Sequence, residues 1–509
     1  MGNMKTQLSF ASLSEIKTEL LAVLAVDTQT SKDRDAKPQP ALLTTDPAVV
    51  AAAAQVLASG EFKAGANETL LLHAPAGLAA RRLLLVGLGK QAKATVHLVR
   101  NAAGTSVRFT KPRGIKELVF SLPESLTGSP LHAMARAAVE GAFVGDFDPD
   151  TYRSDRKDQS VQSFTLAAPA NADKKALEAA FAEGVIVGES QNFTRTLVNE
   201  PGNKLTPTIL GERAAAMAKE VGLKSEVFST EKLHELKMGA FWSVSQGSAE
   251  PPALIVLRYE PEGVKDGPVL GLVGKGITFD TGGISIKPSD SMEKMKYDMA
   301  GAATVIGAMR AIAQLKPSIR VTAFAPCVEN MASDRAQRPG DIVTSYQGKT
   351  IEVLNTDAEG RLILADALTY AVRQGCTHLI DAATLTGAIA IALGHLYAGV
   401  FSNNDKLQSK VIAAGQTEGE RLWAFPMDED YNDYLKSAFA DLPNIGGRYG
   451  GSITASKFLE NFVESTPWVH LDIASTAWLD DSKPHLSKGP TGLSIRTMIR
   501  LALDWDAKN

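Results

Sequence analysis

Short apolar runs alternate with alanine-rich helical patterns along most of this chain, and this alternation restricts its fold more than any other feature. Leu83–Gly87 and Val269–Val273 have the length and composition of buried strands, whereas Leu131–Ala142 has a helical pattern. Strands and helices that alternate in this way pack as layers around a common core. The sequence therefore predicts an α/β fold.

The chain is too long for a single compact core. With 509 residues it is expected to form two domains. The polar stretch Asp146–Ser160 has few apolar residues, and a helical pattern follows it around Lys174–Arg195. We therefore predict an N-terminal α/β domain over residues 1–170, a linker helix over 171–198 and a C-terminal domain over 199–509.

Composition excludes several classes of protein. Hydrophobic residues are 44%, charged residues are 22% and the net charge is −4, which is typical of globular proteins and indicates no polyanionic partner overall. The two cysteines, Cys327 and Cys376, are too few for a disulfide framework and indicate a reducing, cytoplasmic compartment. The most apolar long stretch, Ala382–Gly394, is too short to span a bilayer, so no membrane partner is predicted.

Several familiar enzyme motifs are absent or incomplete. The chain has neither the HExxH pair of zinc proteases nor the GxSxG turn of serine hydrolases. Gly348–Thr350 lacks the earlier glycine of a phosphate-binding loop and instead predicts a hairpin turn between Ile342–Tyr346 and Thr350–Leu354. Gly87–Lys90 lacks the third glycine of a dinucleotide-binding fingerprint and predicts a tight turn from strand to helix.

A basic stretch runs from Arg81 to Lys116, with no acidic residue before Glu117. Such a run could form an electrostatic footprint for nucleic acid, which makes DNA an alternative partner. The other interpretation is a solvated face whose charge is balanced by acids elsewhere in the fold. We favour that interpretation, because a run of like charges is a weak signal by itself.

Polar residues with the chemistry of a metal site are concentrated in Gly274–Asp298. Lys275 and Asp280 follow a predicted strand directly, where α/β proteins usually build their sites, and Lys287 comes soon after. Asp298 precedes a helix that is rich in small residues. It could belong to the same site, or it could cap that helix.

A second polar segment, Asn355–Arg361, lies between a predicted strand and a predicted helix. Asp357, Glu359 and Arg361 alternate, so an extended backbone would project all three to one side. For this segment alone, an exposed acidic turn with a capping glutamate is the better interpretation.

Together the two segments fit one chemistry. Converging carboxylates bind divalent cations and can bridge two of them. A lysine beside them could hydrogen-bond an oxyanion, or could lose its proton and become a ligand itself. The residues predict metal-assisted hydrolysis or phosphoryl chemistry and leave the choice open.

The segment NTDAEGRL, residues 355–362, resembles the signature of the leucyl aminopeptidase family, which are dinuclear zinc exopeptidases. GKGITFDTGGISIKP and MKYDMAGAA resemble two further motifs of the family, and DAATLTGA resembles its substrate-pocket strand and turn. The resemblance covers Asn199–Leu503. It implies a small N-terminal α/β domain that serves assembly, and a larger C-terminal α/β catalytic domain with a central mixed sheet. Family members are usually homohexamers.

The resemblance also implies an activity and its cofactors. The chain would hydrolyse the N-terminal bond of peptides that begin with Leu or another apolar residue, through a hydroxide that bridges two ions of Zn or Mn. One ion would be held by Lys275, Asp280, Asp298 and Glu359. The other would be held by Asp280, Asp357 and Glu359.

The remaining roles implied by the resemblance concern the transition state and the substrate. Lys287 would stabilise the oxyanion, and Arg361 would hold a bicarbonate ion that accepts a proton. The pocket for the first side chain would be lined by Met295, Thr384 and Gly387. Ser475 stands where related sequences typically have Gly, which affects the shape of that pocket. A phosphatase-type metallohydrolase is a further alternative, but a lysine ligand and Arg361 favour the peptidase.

Overall fold

The computed structural model describes residues 4–31 and 36–505 of the chain. It divides into two compact units, one comprising Met1–Asn192 with Asp480–Gly489 and the other comprising Phe193–Leu479 with Pro490–Asn509. Each unit contains a mixed sheet with helices, which confirms the predicted two-domain α/β fold. The division falls within the long helix Lys174–Asn199, and residues 480–489, which we predicted to lie in the C-terminal domain, group with the first unit.

The first unit is built around a seven-stranded sheet. Its strands are β1 (Lys5–Ser9), β2 (Leu20–Asp27), β3 (Pro40–Leu42), β4 (Thr69–His73), β5 (Arg82–Lys90), β6 (Glu117–Ser121) and β7 (Ser163–Ala167). The helices are α1 (Pro47–Ser59), α2 (Val96–Thr110), α3 (Leu131–Asp146) and α4 (Lys174–Asn199). The strand order is β1-β7-β6-β2-β5-β4, with β3 beside β2.

Strand β2 lies in the middle of this sheet and is buried along its whole length. Leu20 and Ala22 pack into one hydrophobic core, whereas Leu21 and Val23 pack into another. Successive side chains of a strand point to opposite faces, so an uninterrupted apolar run is what a sheet covered on both faces requires.

The predicted turn at Gly87–Lys90 is wrong, because these residues belong to β5. Helix α2 begins only at Val96, after a short 3-10 turn. A Cβ atom on Gly87 would lie 2.1 Å from the carbonyl oxygen of Gly65. The glycine is needed for this close approach of two backbones, and not for a turn.

Acidic residues of the same unit balance much of the basic stretch from Arg81 to Lys116. Buried Arg100 lies 2.7 Å from Glu140, and buried Lys111 lies 3.0 Å from Asp146. These pairs favour the interpretation that the stretch is balanced within the fold.

The second unit is built around a nine-stranded sheet. The strands of this unit and the two short strands near its end are β8 (Lys224–Phe228), β9 (Ala253–Tyr259), β10 (Val269–Gly274), β11 (Gly276–Asp280), β12 (Arg320–Asn330), β13 (Ile342–Thr344), β14 (Thr350–Glu352), β15 (His378–Ala383), β16 (Ala398–Ser402), β17 (Leu422–Ala424), β18 (Leu442–Pro443), β19 (Trp468–Asp472), β20 (Trp478–Leu479) and β21 (Gly489–Pro490). The helices are α5 (Pro207–Val221), α6 (Thr230–Glu235), α7 (Gly239–Ser245), α8 (Ala300–Leu315), α9 (Gly360–Arg373), α10 (Gly387–Leu393), α11 (Asp405–Glu418), α12 (Gly451–Glu460) and α13 (Ile495–Leu503).

The central strands of this sheet are parallel. The order is β17-β16-β19-β15-β10-β12-β9-β8, and β11 extends the sheet beside β12. Strands β19, β15, β10 and β12 pair in parallel, whereas β9 is antiparallel to both β12 and β8, and β16 is antiparallel to β19 but parallel to β17. The carboxyl ends of the four parallel strands therefore meet at one edge. None of the helices in the described ranges is long and apolar enough to cross a membrane.

Candidate metal centre

The loops that follow the parallel strands bring the predicted site residues of the second unit together. Lys275 follows β10 directly, Asp280 ends β11 and Thr384 follows β15. Asp298 lies in the 3-10 helix Met292–Met299, just before α8. Lys275, Asp280 and Thr384 thus lie at or directly after strand ends, where α/β proteins usually build their sites.

Three of the predicted acids converge closely. One carboxylate oxygen from each of Asp280, Asp357 and Glu359 lies within 4.8 Å of the others. Asp280 and Glu359 are buried, and Asp357 is partly exposed. This spacing lets the three carboxylates share a single cation, and it is compatible with bridging two.

Lys275 connects this group to Asp298. Its Nζ lies 2.8 Å from Oδ2 of Asp298 and 2.9 Å from Oε1 of Glu359, and it donates a 3.0 Å hydrogen bond to the carbonyl of Thr384. Burial opposes the charge on this amine, but the neighbouring carboxylates outweigh it and raise its pKa. Without a bound cation, Lys275 is therefore protonated.

Lys287 contacts the other two acids of the cluster, Asp280 and Asp357, and is less buried than Lys275. Its Nζ lies 2.9 Å from Oδ2 of Asp280 and 2.5 Å from Oδ1 of Asp357. Burial lowers its pKa, but the carboxylates raise it by more, so this amine is also positively charged.

The acids retain strong repulsion despite the two lysines. Burial, and then the charge of Asp280, raises the pKa of Glu359 to about 8. Burial is also the largest cause that raises the pKa of Asp298 to about 6, and it raises the pKa of Asp357. The cluster is therefore short of positive charge.

Unsatisfied oxygens give a direct test of whether a metal fits. Oε2 of Glu359 is buried and accepts no hydrogen bond from any described residue, whereas Oδ2 of Asp298 and Oδ1 of Asp357 each lie beside a lysine ammonium group, at 2.8 and 2.5 Å. A buried carboxylate oxygen without a donor is costly. Divalent cations are the usual complement of converging carboxylates, so the residues present fit a metal centre.

Both structural alternatives for the acids can now be judged. Asp298 does not cap α8, whose N-cap residue is Met299. Its carboxylate instead accepts a 2.7 Å hydrogen bond from Oγ1 of Thr384. Glu359 is the N-cap residue of α9, but its side chain makes no capping hydrogen bond and is 1% exposed. Neither acid behaves as an exposed cap.

The prediction that an extended backbone projects Asp357, Glu359 and Arg361 to one side is wrong. The backbone is not extended through these residues, because α9 begins at Gly360. Asn444, which the sequence did not single out, organises the turn before the helix. Its Oδ1 accepts from the backbone N–H of Leu354 and Asn355, at 2.8 and 3.2 Å, and its Nδ2 donates to the carbonyl of Asn355 at 2.6 Å.

Arg361 is buried in the first turn of α9. It donates a 2.9 Å hydrogen bond from Nη1 to the carbonyl of Asn444, and its Nε has no acceptor in the part of the chain that the structure describes. Burial lowers the pKa of its guanidinium to about 10, with Glu359 and Asp472 acting in the opposite direction. Arg361 is therefore a charged donor with an unused N–H group.

A second residue that the sequence did not single out is Asn330, at the end of β12. Its Nδ2 donates a 2.8 Å hydrogen bond to Oδ1 of Asp280 and another of 3.0 Å to the carbonyl of Thr356. Thr356 in turn donates from Oγ1 to the carbonyl of Gly282 at 2.6 Å. These bonds fasten the two acidic loops to each other.

Glycine is required where these loops pack most closely. Gly282 has φ +86°, and a Cβ atom there would lie 2.9 Å from Oδ1 of Asp357. A Cβ atom on Gly360 would lie 2.5 Å from Cε of Lys275. Side chains at either position would push the acids and the lysine apart.

The three predicted pocket residues differ in burial. Thr384 is buried against the cluster, Met295 is half-buried in the 3-10 helix, and Gly387 is exposed at the start of α10. Ser475, which we noted as a departure from the family pattern, is buried and donates a 2.8 Å hydrogen bond to the carbonyl of Tyr397. Its hydroxyl is thus bonded to backbone.

Two family models match this chain. The catalytic domain of the cytosol aminopeptidase family matches residues 192–499, and the N-terminal domain of the same family matches residues 23–156.

Curated relatives match over nearly their full length. A probable cytosol aminopeptidase of Acidobacterium capsulatum is 60% identical over 97% of this chain and 98% of its own. One of Solibacter usitatus is 57% identical over 89% of this chain and 93% of its own.

Solved structures are similar as well. The bottromycin maturation enzyme BotP in complex with Mn is 34% identical, with a TM-score of 0.83, over 96% of this chain and 99% of its own. A mutant of tomato leucine aminopeptidase is 33% identical, with a TM-score of 0.86, over 98% of this chain and 96% of its own.

Proposed function

Because the chain belongs to the cytosol aminopeptidase family and is a metal-dependent aminopeptidase, we propose that it uses two divalent ions to remove Leu and other apolar residues from the N-terminus of peptides. The observation that carries this proposal is the buried acid cluster, in which Oε2 of Glu359 has no donor among the described residues. Asp280, Asp357 and Glu359 supply converging oxygens, and Asp298 with Lys275 adjoins them. We propose these five residues as the metal ligands.

Bound divalent ions at such a cluster polarise a carbonyl and supply a water-derived nucleophile near neutral pH. The raised pKa of Lys275 belongs to the protein without cations, since a nearby cation disfavours an ammonium group and favours a neutral amine ligand. Zn and Mn both accept oxygen and nitrogen ligands, so we propose either as the resident metal.

Lys287 is the residue that we propose for oxyanion stabilisation. Its ammonium group is charged and lies at the edge of the cluster, with its side chain 21% exposed. A positively charged donor in that position can hydrogen-bond the oxygen that gains negative charge when a carbonyl is attacked. It can do so without giving up its own proton.

Arg361 is the residue that we propose for anion binding. Its unused Nε–H and its position beside Glu359 suit a small planar anion at the border of the acid cluster. Bicarbonate has the required charge and shape, and we propose it as the bound anion.

We propose that Met295, Thr384 and Gly387 line the pocket for the first side chain. A Cβ atom on Gly387 would meet no atom within 4 Å, so there is open space beside it. An apolar first residue would fill such a space without leaving a buried polar group unpaired.

The assembly and location of the protein complete the proposal. We propose a homohexamer to which the N-terminal domain contributes assembly contacts, which sedimentation of the full chain would test directly. The two buried free cysteines, Cys327 and Cys376, favour a cytoplasmic location. DNA binding stays a hypothesis that rests on the basic stretch from Arg81 to Lys116 alone.

Hydrolysis of leucine p-nitroanilide by an Asp357→Asn variant tests the site. We expect turnover to fall by at least about a thousandfold, because a ligand and a charge are lost together. Asp334→Asn, at an exposed acid of the same unit, is the matched control and should keep full activity. Retained activity in Asp357→Asn would overturn the site assignment.

Faster hydrolysis of p-nitrophenyl phosphate than of the peptide analogue would favour the phosphatase-type alternative.

A further inference from the structure

The loop between β15 and α10, residues 384–387, connects the acid cluster to the proposed substrate pocket. At its first residue, Thr384 Oγ1 donates a 2.7 Å hydrogen bond to Asp298, and the Thr384 carbonyl accepts one of 3.0 Å from Lys275. At its other end lies Gly387, the first residue of α10. Because the loop carries two proposed pocket residues, its position determines the shape of the pocket.

One buried carboxylate from the neighbouring strand holds the middle of this loop. Asp472, the last residue of β19, is fully buried. Its Oδ1 accepts a 3.2 Å hydrogen bond from the backbone N–H of Leu385, and its Oδ2 accepts one of 2.6 Å from Oγ1 of Thr386. Both bonds run from the loop to the same side chain, so Asp472 fastens the loop to the sheet.

The bond to Thr386 also orients the N-cap of α10. Thr386 Oγ1 accepts a 3.3 Å hydrogen bond from the backbone N–H of Ile389. A hydroxyl has a single proton, and donating that proton to Asp472 leaves its lone pairs for the helix. The carboxylate therefore determines which way the capping oxygen faces.

On its other side the loop contacts α12, where Oγ of Ser452 lies 3.1 Å from Oγ1 of Thr386. Gly387 is exposed and faces open space, and α10 is only seven residues long. A short helix does not hold its own position without tertiary contacts. The placement of this pocket wall thus depends on tertiary contacts, and among them Asp472 binds both the backbone and a hydroxyl of the loop.

We propose that Asp472 is a positioning residue that sets the selectivity of the pocket for the first side chain. This inference rests on the proposed function, because it assigns the pocket to the first residue of a peptide. Thr384 bonds the loop to Asp298 and Lys275 at its first residue, whereas Asp472 holds it further along, at residues 385 and 386. Loss of the Asp472 bonds should therefore displace the pocket wall beyond Thr384 and alter binding of a large side chain more than it alters turnover.

Asp472→Asn is the test variant, and Asp381→Asn is its matched control. Asp381 is also fully buried, but its carboxylate accepts from Nε1 of Trp468 and lies 2.6 Å from Nδ1 of His470. We expect Asp472→Asn to raise KM for leucine p-nitroanilide about tenfold, and for alanine p-nitroanilide less than about threefold, with kcat nearly unchanged. Asp381→Asn should leave the ratio of the two KM values as in the wild type.

Amide hydrogen exchange tests the same idea without using activity. In Asp472→Asn we expect the amides of Leu385 and Ile389 to exchange at least about tenfold faster, because a charge-assisted hydrogen bond is lost. Thr386→Val should reproduce the effect at Ile389, whose amide binds the Thr386 hydroxyl, whereas Thr386→Ser, which keeps the hydroxyl, should exchange at the wild-type rate.

Unchanged exchange and an unchanged KM ratio in Asp472→Asn would overturn the proposal, and so would an equal effect of Asp381→Asn on both measurements. If the wild type hydrolysed neither anilide, the proposed function would fail, and so would the selectivity role. The exchange rates would then still decide whether Asp472 holds the loop.

Discussion

Replacing Glu359 with glutamine should stabilise the protein after its metal has been removed. Glu359 is 1% exposed, and burial together with the charge of Asp280 raises its pKa from 4.5 to about 8. When folding raises the pKa of a carboxyl group, the folded state loses stability as pH rises above the unfolded value, because only the unfolded chain releases its proton. A neutral glutamine removes this penalty.

The size of the effect follows from the two pKa values. As the pH rises from the unfolded pKa of 4.5 to 7, the raised pKa lowers the free energy of unfolding by on the order of 3 kcal/mol. The substitution also changes the contact of this side chain with Nζ of Lys275, which lies 2.9 Å from Oε1 of Glu359, and this offsets part of the gain. We therefore expect the free energy of unfolding to rise by about 1–2 kcal/mol at pH 7, and by less than about 1 kcal/mol near pH 5.

Urea unfolding of chelator-treated protein from pH 5 to pH 8 measures this difference. Glu420→Gln is the control, because Glu420 is buried but accepts hydrogen bonds from the backbone N–H of Ser494 and Thr497, at 3.0 and 2.9 Å. That variant should be less stable than the wild type at every pH. Added manganese should stabilise the wild type much more than Glu359→Gln. A Glu359→Gln variant that unfolds at lower urea than the wild type at pH 8, without metal, would refute the reasoning.

Three further predictions concern the surroundings of the cluster, the pocket and a buried histidine. Asn330→Ala should weaken manganese binding by about 10–100-fold in calorimetry, because Asp280 loses the donor that orients it; unchanged affinity would contradict this. Gly387→Leu should lower kcat/KM for leucine p-nitroanilide at least about tenfold relative to the alanine analogue, without loss of stability, since its side chain would enter open space. An equal loss on both substrates would exclude Gly387 from the pocket. Burial lowers the pKa of His470, but Asp381 outweighs it and raises the pKa above 6.5. The ion pair therefore contributes fully below pH 6.5, and its contribution is lost as pH rises through the raised pKa. His470→Gln should accordingly cost most stability below pH 6.5, by about 3 kcal/mol, and progressively less at higher pH, and a loss that does not depend on pH would contradict the charged pair.

Local patterns in the sequence were sufficient to predict the layers of the fold. The predicted strand Val269–Val273 lies in β10, and the predicted hairpin appears as β13 and β14. Apolar runs with clear ends are decided by nearby residues, so no knowledge of the final topology is needed. For the same reason Lys275 and Asp280 could be predicted as strand-end residues.

Residues whose role depends on strand order could not be predicted in this way. Asn330 and Asp472 each end a strand, but only the order β19-β15-β10-β12 brings Asn330 beside the acidic loops and Asp472 beside the loop that follows β15. Asn444 lies 89 positions after Asn355, whose carbonyl it binds. Nothing in the local pattern marks these residues, since their partners lie on elements that are distant in the sequence.

The rate of leucine p-nitroanilide hydrolysis, measured while manganese or zinc is returned in known amounts to chelator-treated protein, tests the two-metal aminopeptidase most directly. We predict that activity is lost on chelation and recovers with added metal, and that it saturates at about two ions per chain. Full activity in metal-free protein would contradict the account, and so would a folded, metal-loaded protein that never hydrolyses the substrate.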